Sequence, residues 1–233
     1  MSNMKTIGLL GGMSWESTTD YYRLINTLVK QQLGGLHSAK IVLYSVDFAE
    51  IETLQQQGNW QQAAQLLTEA AVNIEKASAD FLVICTNTMH IVAEQIQQNI
   101  NIPLIHIADA TGEALLEKNI KTVGLLGTAF TMEKEFYKGR LTNNYGLNVI
   151  IPNEQDRQQV HQIIYHELCV GSIKPESKQT YLAIIDKLVA EGAEAIILGC
   201  TEIGMLIKQQ DTKVPLFDTT SIHAERAVKL ALT

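Results

Sequence analysis

Short apolar runs alternate with longer amphipathic stretches from one end of the chain to the other. The first run covers residues 5–10 and stops at Gly11-Gly12. The stretch after it carries Tyr21, Tyr22, Leu24, Ile25 and Leu28 on a helical pattern. A continuous apolar run of this length, closed by turn residues, reads as a strand buried on both faces; apolar positions three and four apart read as one face of a helix. By these signals strands are expected at 39–46, 81–85, 102–107, 121–127, 149–151, 195–198 and 214–217. Helices are expected at 60–77, 89–96, 157–169, 177–191 and 222–232. Ser14 is placed to cap the first helix, Glu16 suits its N-terminal dipole, and Gly34-Gly35 end it.

The pattern runs twice. Residues 121–127 repeat residues 5–11 with only Val123 in place of Ile7. Val214-Pro215-Leu216-Phe217 echoes Ile102-Pro103-Leu104-Ile105. Between them, Ala79-Asp80 and Ala193-Glu194 each precede four apolar residues, which aligns Thr86 with Cys200 and Asn87-Thr88 with Thr201-Glu202. Offsets of 116, 114 and 112 at three successive strands describe one unit used twice. Strands alternating with helices make parallel sheets covered on both faces. The expected fold class is α/β, with two pseudo-symmetric domains of about four strands each, joined near residues 109–120. Strand ends turned toward one another would leave a cleft, a preferred ligand site.

Composition narrows the function. A chain of 233 residues can bury two small cores, and 46% hydrophobic content is ordinary for a globular protein. A net charge of −7 argues against nucleic acid and anionic membrane as partners. No apolar run approaches the ~18–20 residues of a membrane span, and residues 1–10 do not read as a leader. Three cysteines without metal spacing suit a reducing cytoplasm and argue against a disulfide framework. With no C-x-x-C and no H-x-x-x-H, no metal site is expected.

Cys200 is expected at the carboxyl end of a strand, where open α/β sheets bind ligands. Free N–H groups of a following helix would lower its pKa; the alternative is a buried cysteine packing as a small hydrophobe. The repeat sets Thr86 in the matching place. The loops Gly11-Gly12-Met13-Ser14 and Gly127-Thr128-Ala129 form a second symmetric pair. Asn87, Thr88, Thr201 and helix N–H groups would supply donors to a carboxylate. Thr128 either meets that carboxylate or caps a helix. Gly8-x-x-Gly11-Gly12 is not a dinucleotide fingerprint and no P-loop lysine follows, so the glycines are read as room for a small ligand. Two acid/base groups on opposite faces of a small ligand suit a racemase, one removing an α-proton and the other returning one. Cys85, on the opposite face of its strand from Thr86, is read as packing, with a second base as the alternative if a one-residue bulge reversed the faces; Cys169, on a helical pattern, is read as core. His90 and Glu202 are candidates to orient the site. His106 and Asp218 match across the repeat, either as supporting partners or as turn residues.

Thr86-Asn87-Thr88-Met89-His90 and Gly199-Cys200-Thr201-Glu202 resemble the Cys-Asn-Thr-x-His and Gly-Cys-Thr-Glu motifs of the cofactor-independent aspartate/glutamate racemases. Gly11-Gly12-Met13-Ser14 resembles that family's N-terminal loop, and the resemblance covers essentially the whole chain. It implies two Rossmann-like domains, here 1–110 and 111–219, with the helix of 220–233 packing back on the first. It also implies a homodimer, a small acidic amino-acid substrate, and neither pyridoxal phosphate nor metal. The departure is Thr86, where most of the family has cysteine. A hydroxyl is a far weaker acid than a thiol, so Cys200 is assigned as thiolate base toward the L-enantiomer and Thr86 as opposite-face donor or relay. Lys174 lies near the family's position for the cation that holds the distal carboxylate, with Lys178 and Arg23 as alternatives. Other readings are a binding protein that kept the cleft, or a sibling decarboxylase, hydantoin racemase or maleate isomerase.

Overall fold

The computed structural model describes residues 4–233, so the leader reading of residues 1–10 falls partly outside them. The chain divides into two compact units, Met1–Ile107 with His223–Thr233, and Ala108–Ile222. In the first unit β1 (Ile7–Gly11) leads to α1 (Trp15–Leu33) and β2 (Ile41–Ser45). Then come α2 (Phe48–Gln56), α3 (Trp60–Lys76), β3 (Phe81–Ile84), α4 (Ala93–Gln97) and β4 (Leu104–Ile105). Helix α5 (Ile107–Glu117) opens the second unit's run: β5 (Thr122–Gly127), α6 (Ala129–Glu133), α7 (Lys138–Tyr145), β6 (Asn148–Ile150) and α8 (Glu154–His166). The chain closes with α9 (Pro175–Ala190), β7 (Ala195–Gly199), α10 (Ile203–Leu206), β8 (Leu216–Asp218) and α11 (Thr219–Ala231). Each sheet has four parallel strands, in the orders β2-β1-β3-β4 and β6-β5-β7-β8. This is the α/β architecture that the duplicated pattern predicts.

The first sheet separates two cores. Ile7 and Leu9 of β1 and Phe81 and Val83 of β3 pack with Tyr21, Ile25 and Val29 of α1 and with Ala224, Ala227 and Val228 of α11. Leu10, Leu82 and Ile84 point the other way, toward α2 and α3. Such two-sided burial is why these strands read as unbroken apolar runs instead of alternating ones. Gly8 is required by the approach of α3, because a Cβ there would lie 2.4 Å from Ile74 Cγ2. Its repeat partner Gly124 would place a Cβ 2.7 Å from Ile196 Cδ1 and 3.0 Å from Leu188 Cδ1.

The strand registers carry the repeat into three dimensions. Leu10 pairs with Ile84 in the first sheet, and Leu126 pairs with Leu198 in the second. Two residues past those rungs stand Thr86 and Cys200, so each sheet presents its residue at the same position.

Several elements differ from the sequence reading. Strand four is shortened to Leu104–Ile105, and the segment read as a joint is mostly helix α5. Helices α2, α6 and α7 were not expected; their short runs hold too few turns for a periodic signal. The helix expected from residue 89 starts as a 3-10 turn, Thr88–Val92. Helix α8 stops at His166, and Cys169 sits in a separate 3-10 turn, Leu168–Val170, half-buried and outside the core where it was expected. Among the described residues, no helix is long and apolar enough to cross a membrane.

Candidate active site

From β1 the chain adds β2 on one side, then returns past β1 to place β3 on the other. The carboxyl ends of β1 and β3 are thus a topological switch point, the usual ligand site of an open α/β sheet. β5 and β7 form the corresponding point in the second unit.

Cys200 follows Gly199, the last residue of β7, and is 7% exposed. Its Sγ donates to Glu202 Oε2 at 2.9 Å, and Thr201 Oγ1 donates to the same oxygen. Glu202 is itself buried. Burial first, and then the adjacent carboxylate, raise the Cys200 pKa well above the ordinary thiol range. This corrects the expectation of a lowered value. The helix that was to supply the favourable dipole, α10, has only four residues, and Glu202 sits at its start. A full negative charge against the sulfur outweighs so short a dipole. Cys200 is therefore a thiol, hydrogen-bonded to the Glu202 carboxyl group.

Thr128 follows β5 and caps α6, its Oγ1 accepting from Thr131 N at 3.3 Å. The N–H of Ala129 donates to His161 Nδ1 at 3.2 Å, which ties this loop to α8. Burial and His166 lower the pKa of that imidazole. Lys174 directly precedes Pro175 at the start of α9; its half-exposed ammonium lies 3.3 Å from Glu167. Lys178 pairs with Asp211 at 2.7 Å and Arg23 with Asp20 at 3.0 Å. All three candidate cations therefore hold surface ion pairs, of a kind that contributes little and breaks readily.

In the first unit, Cys85 is fully buried in the α1/α11 core, and burial pushes its thiol pKa up. It is an inert packing residue. Ser17 Oγ, in the first turn of α1, donates to the Cys85 carbonyl at 2.8 Å. Thr86 comes next, 9% exposed. Its carbonyl accepts from His90 Nδ1 at 2.8 Å, while its Oγ1 has no hydrogen-bond partner among the described residues. Asn87 and Thr88 are buried beside it, and Thr88 opens the 3-10 turn. Ser14 caps α1 through Ser17 N at 3.3 Å. The Met13 side chain is taken up by the core on the α2/α3 side.

Glu202 proves to be the direct hydrogen-bond partner of the Cys200 thiol, a closer contact than the general orienting role its position in the sequence indicated. His223, which packs against His90, and its hydrogen-bond partner Tyr21 were not expected near the site. They are 202 positions apart in the chain, and no local pattern signals their meeting. Among the described residues, no group of histidine, cysteine and acidic side chains is arranged to hold a metal ion.

The sequence profile of the Asp/Glu/Hydantoin racemase family matches residues 10–227. A Yersinia pestis protein provisionally described as an Asp/Glu racemase is 56% identical, with a TM-score of 0.93 over 99% of this chain and 100% of that one. An aspartate racemase homologue from Pyrococcus horikoshii OT3 is 34% identical, with a TM-score of 0.85 over 98% and 99% of the two chains. The broad specificity amino-acid racemase RacX of Bacillus subtilis is 25% identical over 97% of this chain and 98% of its own.

Proposed function

The chain belongs to the Asp/Glu/hydantoin racemase family, and we propose that it is a cofactor-independent racemase of aspartate, glutamate or both. The observation that carries this reading is the matched placement of Thr86 and Cys200 past equivalent strand rungs, with the Cys200 thiol 2.9 Å from a buried carboxylate. Glu202 first takes the thiol proton. The thiolate then removes the α-proton of the L-enantiomer, and the C–H electron pair remains on the substrate as a carbanion. Thr86 gives its hydroxyl proton to the opposite face and regains one from water. Glu202 releases its proton to the resulting hydroxide, so the cycle closes without net change. A resting thiol suits this order, because the sulfur becomes a base only when Glu202 accepts the proton.

Thr86 has no matching base beside its hydroxyl, which supports chemistry that begins from the Cys200 side. Asn87, Thr88, Thr128, Thr201 and the Met13-Ser14 backbone are assigned to the substrate carboxylate and the developing charge. Lys174 is assigned to the distal carboxylate, exchanging Glu167 for it. The same reading takes the protein as a cytoplasmic homodimer, and the three free cysteines support a reducing compartment.

Proton NMR in D₂O with each enantiomer of aspartate and glutamate tests the proposal. Loss of the α-proton signal from an L-substrate, abolished in Cys200→Ser, is the expected result. No exchange with any of the four by folded protein would sink the reading. A second reading, a dicarboxylate-binding protein, draws on the raised Cys200 pKa and the threonine at position 86. It predicts binding of the same acids without α-proton exchange.

A further inference from the structure

Behind Thr86 lies a buried cluster of three histidines that the proposed chemistry does not use. The rings of His90 and His106 have centroids 4.6 Å apart, and those of His90 and His223 are 5.8 Å apart. All three are at most 7% exposed. The hydrogen bonds fix two of the tautomers. His90 Nδ1 faces the Thr86 carbonyl at 2.8 Å, so it carries the proton; Nε2 then accepts from Ile107 N at 3.2 Å. His223 Nε2 faces the Ile105 carbonyl at 2.7 Å, so it donates, and Nδ1 accepts from Tyr21 OH at 2.9 Å. Each ring is therefore saturated in its neutral form. Burial and the neighbouring imidazoles hold the His90 pKa well below its ordinary value.

A residue with both nitrogens committed to the main chain is not placed to shuttle protons. What it does hold is the Thr86 peptide. The carbonyl before Thr86 is tied to Ser17 and the carbonyl of Thr86 itself to His90. These two ties set the backbone angles of Thr86, and a β-branched side chain takes its rotamer from them. The second unit has no such device. The repeat puts Gly204 at the position of His90, so the second unit has no side chain there to hold the corresponding carbonyl.

We propose that His90 is a positioning residue that aims the Thr86 hydroxyl at the substrate α-carbon, with His106 and His223 wedging its ring in place. This rests on the racemase reading. A threonine has little acidity to spare, so its geometry must be close to that of the transfer. Misplacement of a reacting group by about 1 Å costs on the order of 100-fold.

The test separates the two faces of the reaction. In D₂O, α-proton exchange with retention of the L-form reports the Cys200 face, and D-product reports delivery from Thr86. His90→Gln moves the amide to the Nε2 position and loses the bond to the Thr86 carbonyl. His90→Asn keeps a donor at the Nδ1 position. The ratio of D-product to L-exchange should fall about tenfold or more in His90→Gln and stay within about threefold of wild type in His90→Asn. An unchanged ratio in folded His90→Gln, or an equal fall in both variants, overturns the proposal while leaving the racemase intact. Wild-type protein with neither exchange nor inversion overturns both. Should His90→Gln fail to fold, ¹⁵N shifts of the wild-type imidazoles decide: a neutral His90 protonated at Nδ1 is required, and the other tautomer or an imidazolium overturns the assignment.

Discussion

Acidification should loosen the first unit before the carboxylates titrate, and His223 sets the scale. Its pKa is lowered from 6.5 to about 4 by burial, against a weaker opposing effect of its bond to the Ile105 carbonyl. In the unfolded chain the same ring titrates near its ordinary value of about 6.5. Between those two values the unfolded state binds more protons, so stability falls as pH falls. The contribution is fully present above about pH 6.5 and is lost through the folded pKa. At about 1.4 kcal/mol per pH unit, His223 alone removes about 2 kcal/mol between about pH 8 and about pH 5, approaching about 3 kcal/mol near pH 4. His90 is lowered as well and adds to the loss in the same direction. Trp15 and Trp60, the chain's two tryptophans, both belong to the first unit, so urea unfolding followed by tryptophan fluorescence reads that unit. His223→Gln should be less stable at neutral pH by about 1–3 kcal/mol, because Tyr21 OH and the Ile105 carbonyl lose their partner. It should also lose the share of the pH slope that His223 carries and keep the share of His90. A variant that keeps the full slope, or a wild-type first unit equally stable at about pH 5 and about pH 8, would refute the reasoning.

Four further outcomes are expected. Glu202→Gln removes the charge beside Cys200 and the acceptor of its proton, so iodoacetamide should label Cys200 faster while α-proton exchange slows; slower labelling in a folded variant counts against the dyad. Thr86→Cys should gain α-proton exchange from the D-enantiomer, measured by NMR in D₂O, and no gain argues against Thr86 as the opposite-face group. Gly8→Ala must push Ile74 aside and should cost about 1–3 kcal/mol by chemical denaturation; a neutral result would mean that α3 moves freely on the sheet. Lys174→Ala should raise KM for the acidic substrate without changing Tm, since only an exposed ion pair is lost; an unchanged KM releases Lys174 from the site.

The duplicated α/β architecture was legible because strands buried on both faces leave long apolar runs, and a repeated strand-loop-helix unit leaves them at nearly constant spacing. The alignment of Thr86 with Cys200 came from the same regularity, and the sheet registers reproduce it. Short elements were not legible. Helices α6 and α10 span five and four residues, too few for any period to emerge. The state of Cys200 was misread for a related reason. A helix N-terminus was inferred from the apolar residues after it, but its length and the direction of the Glu202 side chain depend on the fold. Contacts such as Tyr21 to His223 join the first helix to the last, and nothing local to either announces them.

The two units differ most where the repeat makes comparison fair. Past equivalent rungs stand a threonine and a cysteine; two residues further on stand Thr88 and Glu202; beyond those, His90 and Gly204. The second unit surrounds its sulfur with a carboxylate that accepts protons. The first holds the Thr86 carbonyl with His90, whose other nitrogen is spent on Ile107 N, while His223 beside it is spent on the Ile105 carbonyl and the Tyr21 hydroxyl. A symmetric pair of thiols would let either face act as acid or base. On the proposed racemase reading, a carboxyl beside the sulfur and a fixed hydroxyl at Thr86 favour proton removal by Cys200 and proton return from Thr86. Directionality of this kind changes rates in each sense but not the equilibrium between enantiomers. The D-to-L reaction must therefore have a kcat and a KM that are lowered or raised together by the same factor, with kcat/KM equal for both directions at an equilibrium constant of one. Equal kcat and equal KM for the two enantiomers of one substrate would show that the two residues are not differentiated in this way.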